Sequence, residues 1–313
     1  MSLLSRLTVS TIGLFSKTLL SPATSASVTV NGLDNLKKAL ADDERSNGRG
    51  IITDSFHKTH SLDDPGAWGV LPLSHYWNCS RMTRWTLGAS DVIFTNPMFS
   101  HFFRAGQVIE TFRGKGIFQP AIDDAIQRLN QGDWIHFFSE GKVNPASCDP
   151  KSPMAGKLLR FKWGVGRVIM EAQHAPIIIP MWITGFDKLM PEGRSFPYKY
   201  IPQRGAHISV TFGEPVLADE LRDTLSTLIS RRGIPGAPRG TSGGLGDPVR
   251  LAQETHSAEV AMSGWLHGPV AQALHGIGDG EAAIEIARVR SAVTAVIQRD
   301  VEKLGRRILG IQT

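Results

Sequence analysis

The chain holds two cysteines in 313 residues, Cys79 and Cys148. Two thiols give no disulfide framework and fit no metal-ligand spacing, so both are read as reduced and incidental. No run approaches the ~20 apolar residues that a membrane-spanning helix needs. No dense basic stripe or known nucleic-acid motif is present, so nucleic acid is not expected as a partner. No acidic residue precedes Asp34, and no internal repeat is visible.

What is present is a globular composition, 41% hydrophobic and 20% charged. The net charge is +5 and the pI near 9.3, which favours an anionic partner: phosphate, a phospholipid headgroup or an anionic membrane. The length suits one large domain or two small ones with ample core.

The opening "MSLLSRLTVSTIGLFSKTLL" carries Arg6 and Lys17 among many Ser and Thr residues. On a helical wheel Leu3, Leu4, Leu7, Leu14 and Phe15 gather opposite Arg6, Ser10 and Lys17. That pattern is expected of a mitochondrial presequence or an in-plane membrane anchor over 1–30, or of an amphipathic helix that packs on the domain.

From about 48 to 216, β-rich runs alternate with helical patterns. Strands are expected at "GIITD" (50–54), "DVIFT" (91–95), "VIETF" (108–112), "WIHFF" (134–138), "PIIIPMWI" (176–183) and "HISVTFG" (207–213). "FQPAIDDAIQRLNQGD" and "LLRFKWGVGRVIMEA" carry helical periodicity. The alternation predicts an α/β layer fold with most strands buried. The expected division is an N-terminal segment over 1–30, a main domain over 31–230, a flexible Gly/Pro-rich insert over 231–280, and a C-terminal helix over 281–313.

Four stretches carry candidate chemistry. "DSFHKTHSLDDPGAWG" (54–69) places His57 and His60 near Asp63 and Asp64. In it Asp64 reads as a helix N-cap and Pro65 as the first helical residue. No Gly-x-Ser-x-Gly elbow accompanies these histidines, which argues against a hydrolase. "FFSEGKVN" (137–144) follows a strand, where ligands of α/β sheets collect, and offers Glu140, Gly141 and Lys142. "ETFRGKGIFQ" (110–119) offers Arg113, Gly114 and Lys115 at another strand end, with Arg suited to a phosphate. In "APIIIPMW", Pro176 and Pro180 bracket an apolar strand; prolines belong at strand starts or edges, so an apolar rim is expected.

In their order along the chain (His with Asp, Arg-Gly, Phe-x-Glu-Gly, then Pro-x-x-x-Pro), the stretches resemble the four blocks of the glycerolipid acyltransferase family. "LDDPGAWGVLPL", "RWTLGASDVIFTNPMFSHFFRAGQV", "NQGDWIHFFSEGKVN" and "LLRFKWGVGR" narrow the likeness to the cardiolipin-remodelling branch. It covers about 45–216. The resemblance implies a central, mostly parallel or mixed sheet flanked by helices. It also implies acyl transfer from a phospholipid to a lysophospholipid without coenzyme A, with phosphatidylcholine and cardiolipin among the lipids. No metal or nucleotide cofactor is implied, and the expected setting is monotopic, on mitochondrial membranes facing the intermembrane space. His57 is expected as base and Asp63 as its carboxylate, with His60 and Asp64 as the alternatives. Arg113, Gly114, Glu140, Gly141 and Lys142 are expected to hold substrate. Phe94, Phe99, Phe102 and Phe103 form an aromatic cluster of which part is expected to face lipid.

The family block is His, four residues, Asp. Here five residues separate His57 from Asp63, and two separate His60 from it. A one-residue bulge restores His57 and is the smaller disturbance. The alternatives are a coenzyme-A-dependent acyltransferase, a lipid-binding relative that has lost catalysis, or a faulty splice junction behind 54–61. Ser139 also stands where the family has proline, which relaxes the turn without removing a catalytic group.

Overall fold

Alternate side chains along the central strands enter two separate cores, one on each face of one sheet. The computed structural model describes all residues except 1, 58–62, 79, 145–146, 148–151, 192, 196–197, 199–200, 232–247 and 312–313. The elements begin with α1 (Leu3–Leu19), β1 (Ser25–Asn31), α2 (Leu33–Leu40), β2 (Ile51–His57), α3 (Asp63–Trp68) and α4 (Leu73–Asn78). Next come β3 (Trp85–Ala89), α5 (Ser90–Ile93), α6 (Pro97–Ala105), β4 (Val108–Thr111), α7 (Pro120–Asn130) and β5 (Trp134–Val143). Then follow α8 (Trp163–Met170), β6 (Ile177–Thr184), α9 (Phe186–Leu189) and β7 (Ala206–Phe212). The described chain closes with α10 (Ala218–Ser230), α11 (Pro248–Ser263), α12 (His267–Leu274) and α13 (Asp279–Leu309).

The seven strands form one sheet in the order β1-β7-β6-β2-β5-β3-β4. Every adjacent pair is parallel except β6 with β7. On one face Ile51, Trp134, Ile179 and Met181 pack with Leu36, Trp68 and Tyr76 of α2, α3 and α4. Their neighbours Ile52, Ile135, Ile178 and Trp182 pack on the other face with α7, α8 and α10 to α13. This is the expected α/β layer fold, with a mixed sheet.

Four local expectations fail. "DVIFT" is not a strand: Ser90–Ile93 is a helical turn, and the strand is the preceding Trp85–Ala89. Gly88 explains the fold-back, since a Cβ there would lie 2.3 Å from Cδ1 of Ile93. Asp64 is not the N-cap, because α3 begins at Asp63. Pro180 is not at a rim but buried within β6, between β7 and β2. Its missing N–H is tolerated because pairing with β2 ends at Pro180 and pairing with β7 begins at Met181. Within the segment expected to be a flexible insert, 248–263 and 267–274 are helices. Buried Arg290 of α13 reaches Glu254 of α11 at 2.6 Å, a partner that ties this segment to the core.

The expected boundary at residue 30 also cuts through β1, which pairs along β7. Its sequence SASVTVN, exposed on one side, lacks the apolar run that marks a buried strand. Helix α1 packs with an unexpected face. Val9, Gly13, Ser16 and Leu19 are buried, and the Gly13 Cα leaves room for the Tyr76 ring. Ser5 donates to the Ala105 carbonyl at 2.6 Å, Ser10 to that of Tyr76 at 3.4 Å, and Lys17 to that of Gly69 at 3.0 Å. The leucine stripe points outward: Leu3, Leu4, Leu7, Leu14 and Phe15 are all exposed.

Candidate active site

The loops that carry the candidate residues all leave carboxyl ends of parallel strands. His57 ends β2, Arg113 and Gly114 follow β4, and Glu140, Gly141 and Lys142 lie in the last turn of β5. In a parallel sheet this edge gathers the strand-end loops. β2 and β5 stay in register from Ile51↔Trp134 to Ser55↔Phe138, and then β5 bulges before His57↔Val143. The bulge sets the Glu140–Gly141–Lys142 turn beside the end of β2. The backbones of His57 and Asp63 flank 58–62. Their side chains, that of Lys142, and the whole of His60 lie outside the described residues.

Asp64 has a different employment from the alternative role expected of it. It pairs with both Nε (3.0 Å) and Nη2 of Arg84, and accepts from Trp68 Nε1 at 2.8 Å. Burial pushes its pKa up, but the Arg84 charge and the hydrogen bonds outweigh that and hold the carboxyl below its ordinary value. An arginine within reach is a stronger partner than a backbone amide, which is why Asp64 does not cap the helix.

Beneath α3 lies a polar residue that the sequence reading passed over. His136, 1% exposed, bonds Thr53 Oγ1 at 2.8 Å through Nδ1 and Ser55 Oγ at 3.3 Å through Nε2. Its ring meets those of Trp68 (4.9 Å) and Phe138 (4.4 Å) edge to face. This floor fixes the helix that begins with Asp63 against the strand that ends with His57. A histidine at an inward position of "WIHFF" was its one available signal.

Glu140 is turned inward instead of toward a ligand. It is 1% exposed; Oε1 accepts from Asn144 Nδ2 at 2.8 Å and from the Leu159 amide at 2.5 Å. Burial raises its pKa to about 7, against those two hydrogen bonds and with help from Glu302. The Glu140 carboxyl thus braces the 156–162 strap through Oε1. Gly141 takes φ +64, and the Lys162 side chain lies over it. Gly114 and Gly116 adopt φ +80 and +78 with open space around them. Arg113 reaches Asp91 at 3.4 Å, both more than half exposed, a surface pair worth about 0–1 kcal/mol and readily exchanged for a ligand. Among the described residues no group of three His, Cys, Asp or Glu side chains is arranged to hold a metal ion.

A family profile described as Acyltransferase matches residues 27–184. The chain is 37% identical over 228 residues to a Drosophila melanogaster protein named Tafazzin, covering 73% of this chain and 54% of that one. It is 35% identical over 196 residues to the Arabidopsis thaliana N-acylphosphatidylethanolamine synthase, covering 61% and 63%. It is 30% identical over 282 residues to the Saccharomyces cerevisiae Tafazzin, covering 78% and 71%. The match thus spans just over half of the Drosophila protein and under two thirds of the Arabidopsis one.

Proposed function

The chain belongs to the tafazzin branch of the glycerolipid acyltransferase family, and from that premise we propose that it moves a fatty acyl chain from a phospholipid to a lysophospholipid without coenzyme A. One observation supports the reading: the His–Asp, Arg–Gly and Glu–Gly–Lys stretches, remote in sequence, all lie at the carboxyl ends of parallel strands β2, β4 and β5 of one sheet. In this proposal His57, held by Asp63, takes the proton from the free hydroxyl of the acceptor as its oxygen attacks the ester carbonyl of the donor. Asp63 orients the imidazole and stabilises the imidazolium. The tetrahedral oxyanion is opposed by Arg113 and Lys142, with Gly114 letting the lipid backbone approach and Gly141 turning the chain between Glu140 and Lys142. Collapse expels the donor hydroxyl oxygen, which recovers the proton from His57. One ester forms as one breaks, so the two lipids balance the reaction between them.

The substrates in this reading are phosphatidylcholine as donor and lysocardiolipin as acceptor, at mitochondrial membranes facing the intermembrane space. No described helix is long and apolar enough to cross a membrane. The outward stripe of α1 and the exposed Met98, Phe99 and Phe102 of the adjacent α6 support monotopic docking. Phe94 is buried, so only part of the aromatic cluster is offered to lipid. The Arabidopsis relative favours a second reading, in which the acceptor is the amine of phosphatidylethanolamine.

The test mixes the chain with liposomes holding labelled phosphatidylcholine and, separately, lysocardiolipin or phosphatidylethanolamine. Label arriving in cardiolipin without coenzyme A, and lost in both His57→Ala and Asp63→Ala, supports the first reading. Label arriving as an amide supports the second. Transfer that requires acyl-coenzyme A, or none despite firm liposome binding, sinks both.

A further inference from the structure

Residues 151–162, KSPMAGKLLRFK, hold four cations and no acid. The stretch lies outside the four family blocks, though its end, LLRFK, belongs to the branch likeness, and its second half is the strap that Glu140 braces. Four backbone amides fix it. Leu158 donates to Glu302 at 2.9 Å, Leu159 to Glu140 at 2.5 Å, Phe161 to Gln298 at 3.0 Å and Lys162 to the Ser139 carbonyl at 2.7 Å. Leu158 and Phe161 are buried, so the residues between and after them, Leu159, Arg160 and Lys162, project outward.

Arg160 stacks 5.0 Å from the Trp163 ring. Lys162 is held differently. Its methylenes cross Gly141, close enough that a Cβ there would lie 3.2 Å from Cε. Two residues beyond Gly141, Val143 pairs with His57. No carboxylate among the described residues pairs with the Lys162 ammonium, and the adjacent Glu140 carboxyl is turned to Asn144 and Leu159. A cation with its chain laid down at the mouth of a site, and paired with no carboxylate among the described residues, is arranged for an anion from solution or lipid.

We propose that Lys162 is a phosphate-binding residue of this site and selects lipids that carry a phosphate near the reacting hydroxyl. The inference deepens the acyl-transfer reading, but its first readout is binding. The Gly141 turn belongs with it: φ +64 and the contact with Lys162 both exclude a side chain there.

The experiment uses the full chain and calorimetric titration with short-chain phosphatidic acid, inorganic phosphate and short-chain diacylglycerol. Lys162→Ala, Lys162→Glu and Lys162→Arg are compared with the wild type, and Lys37→Ala, remote and exposed, serves as control. Expected are phosphatidic acid binding ~10-fold weaker in the Ala variant, weaker still in Glu and largely restored in Arg, with Lys37→Ala unchanged. Diacylglycerol binding is expected to be the same in all. Binding of inorganic phosphate with the same dependence on Lys162 assigns the subsite to the phosphate alone. Dependence seen with phosphatidic acid only assigns it to the lipid headgroup. Equal binding by wild type and the Ala variant, or none by the wild type, overturns the proposal. Lys162-dependent binding without acyl transfer leaves this inference standing and sinks the transfer reading.

Discussion

Ser139 donates a hydrogen bond of 2.5 Å to Oδ2 of Asp54, and this buried pair joins β5 to β2 just below the candidate site. Asp54 is fully buried, and its Oδ1 has no hydrogen-bond partner. Burial pushes its carboxyl well above the usual range, against the pull of the Ser139 hydroxyl and amide. Serine here is matched to an acid on the neighbouring strand. Ser139→Ala is expected to destabilise the fold by about 1–3 kcal/mol, because the buried Asp54 carboxyl loses its hydroxyl partner and keeps only the Ser139 amide. Ser139→Pro deletes the amide as well and should do more harm. Urea midpoints check both, and an unchanged midpoint for Ser139→Pro would mean that the pair contributes nothing.

Stability should fall as the solution is made alkaline through neutrality. Glu140 rises from an ordinary 4.5 to about 7 on folding, so the folded chain binds its proton more tightly. Its contribution is complete below about pH 4.5 and disappears as pH passes 7, on the order of 3 kcal/mol in all. Asp54, also raised, acts in the same direction. Denaturant midpoints between pH 5 and 8 should decline in the wild type and much less in Glu140→Gln. Parallel curves for the two proteins would remove Glu140 as the cause.

Much of the scaffold was legible in the sequence because a short β-branched and aromatic run is a local signal. "GIITD", "WIHFF" and "HISVTFG" announce β2, β5 and β7 without reference to anything remote. The four blocks were legible too, as an order of residue types. What remained hidden depends on tertiary partners. Arg84, twenty residues beyond Asp64, gives no local sign that it will claim that carboxylate. Glu140 looks like a ligand-holding acid until the Leu159 amide is seen against it. Helix α1 shows the same limit, since its apolar stripe was visible but not the side that Gly13 and Ser16 would dock.

The two adjacent aspartates should separate cleanly on mutation. Asp64 is bound to Arg84 with both side chains largely buried, so Asp64→Ala strands a guanidinium and should destabilise by about 3 kcal/mol. Acyl transfer per folded molecule should survive it in part. Asp63→Ala should change the unfolding free energy by no more than about 1 kcal/mol and abolish transfer, because in the proposed mechanism Asp63 supports the imidazolium. If Asp64→Ala alone abolishes transfer at full stability, the carboxylate of the dyad has been misassigned.

The outward face of α1 makes the last prediction. Leu4 and Leu7 are 62% and 47% exposed while Val9, on the inner face, is 5% exposed. Burying an exposed leucine in an apolar medium stabilises by roughly 1.5–3 kcal/mol, so two of them are enough to set a membrane affinity. Leu4→Glu with Leu7→Glu should therefore lower partition onto anionic liposomes by at least ~10-fold while the melting midpoint stays put. Val9→Glu should do the reverse, lowering the midpoint because it drives a carboxylate under the helix. Flotation and thermal unfolding on the same preparations decide the matter. Undiminished partition of the double variant would leave α1 as a packing helix and move the membrane contact to Phe99 and Phe102 of α6, whose own Glu substitutions would then abolish it.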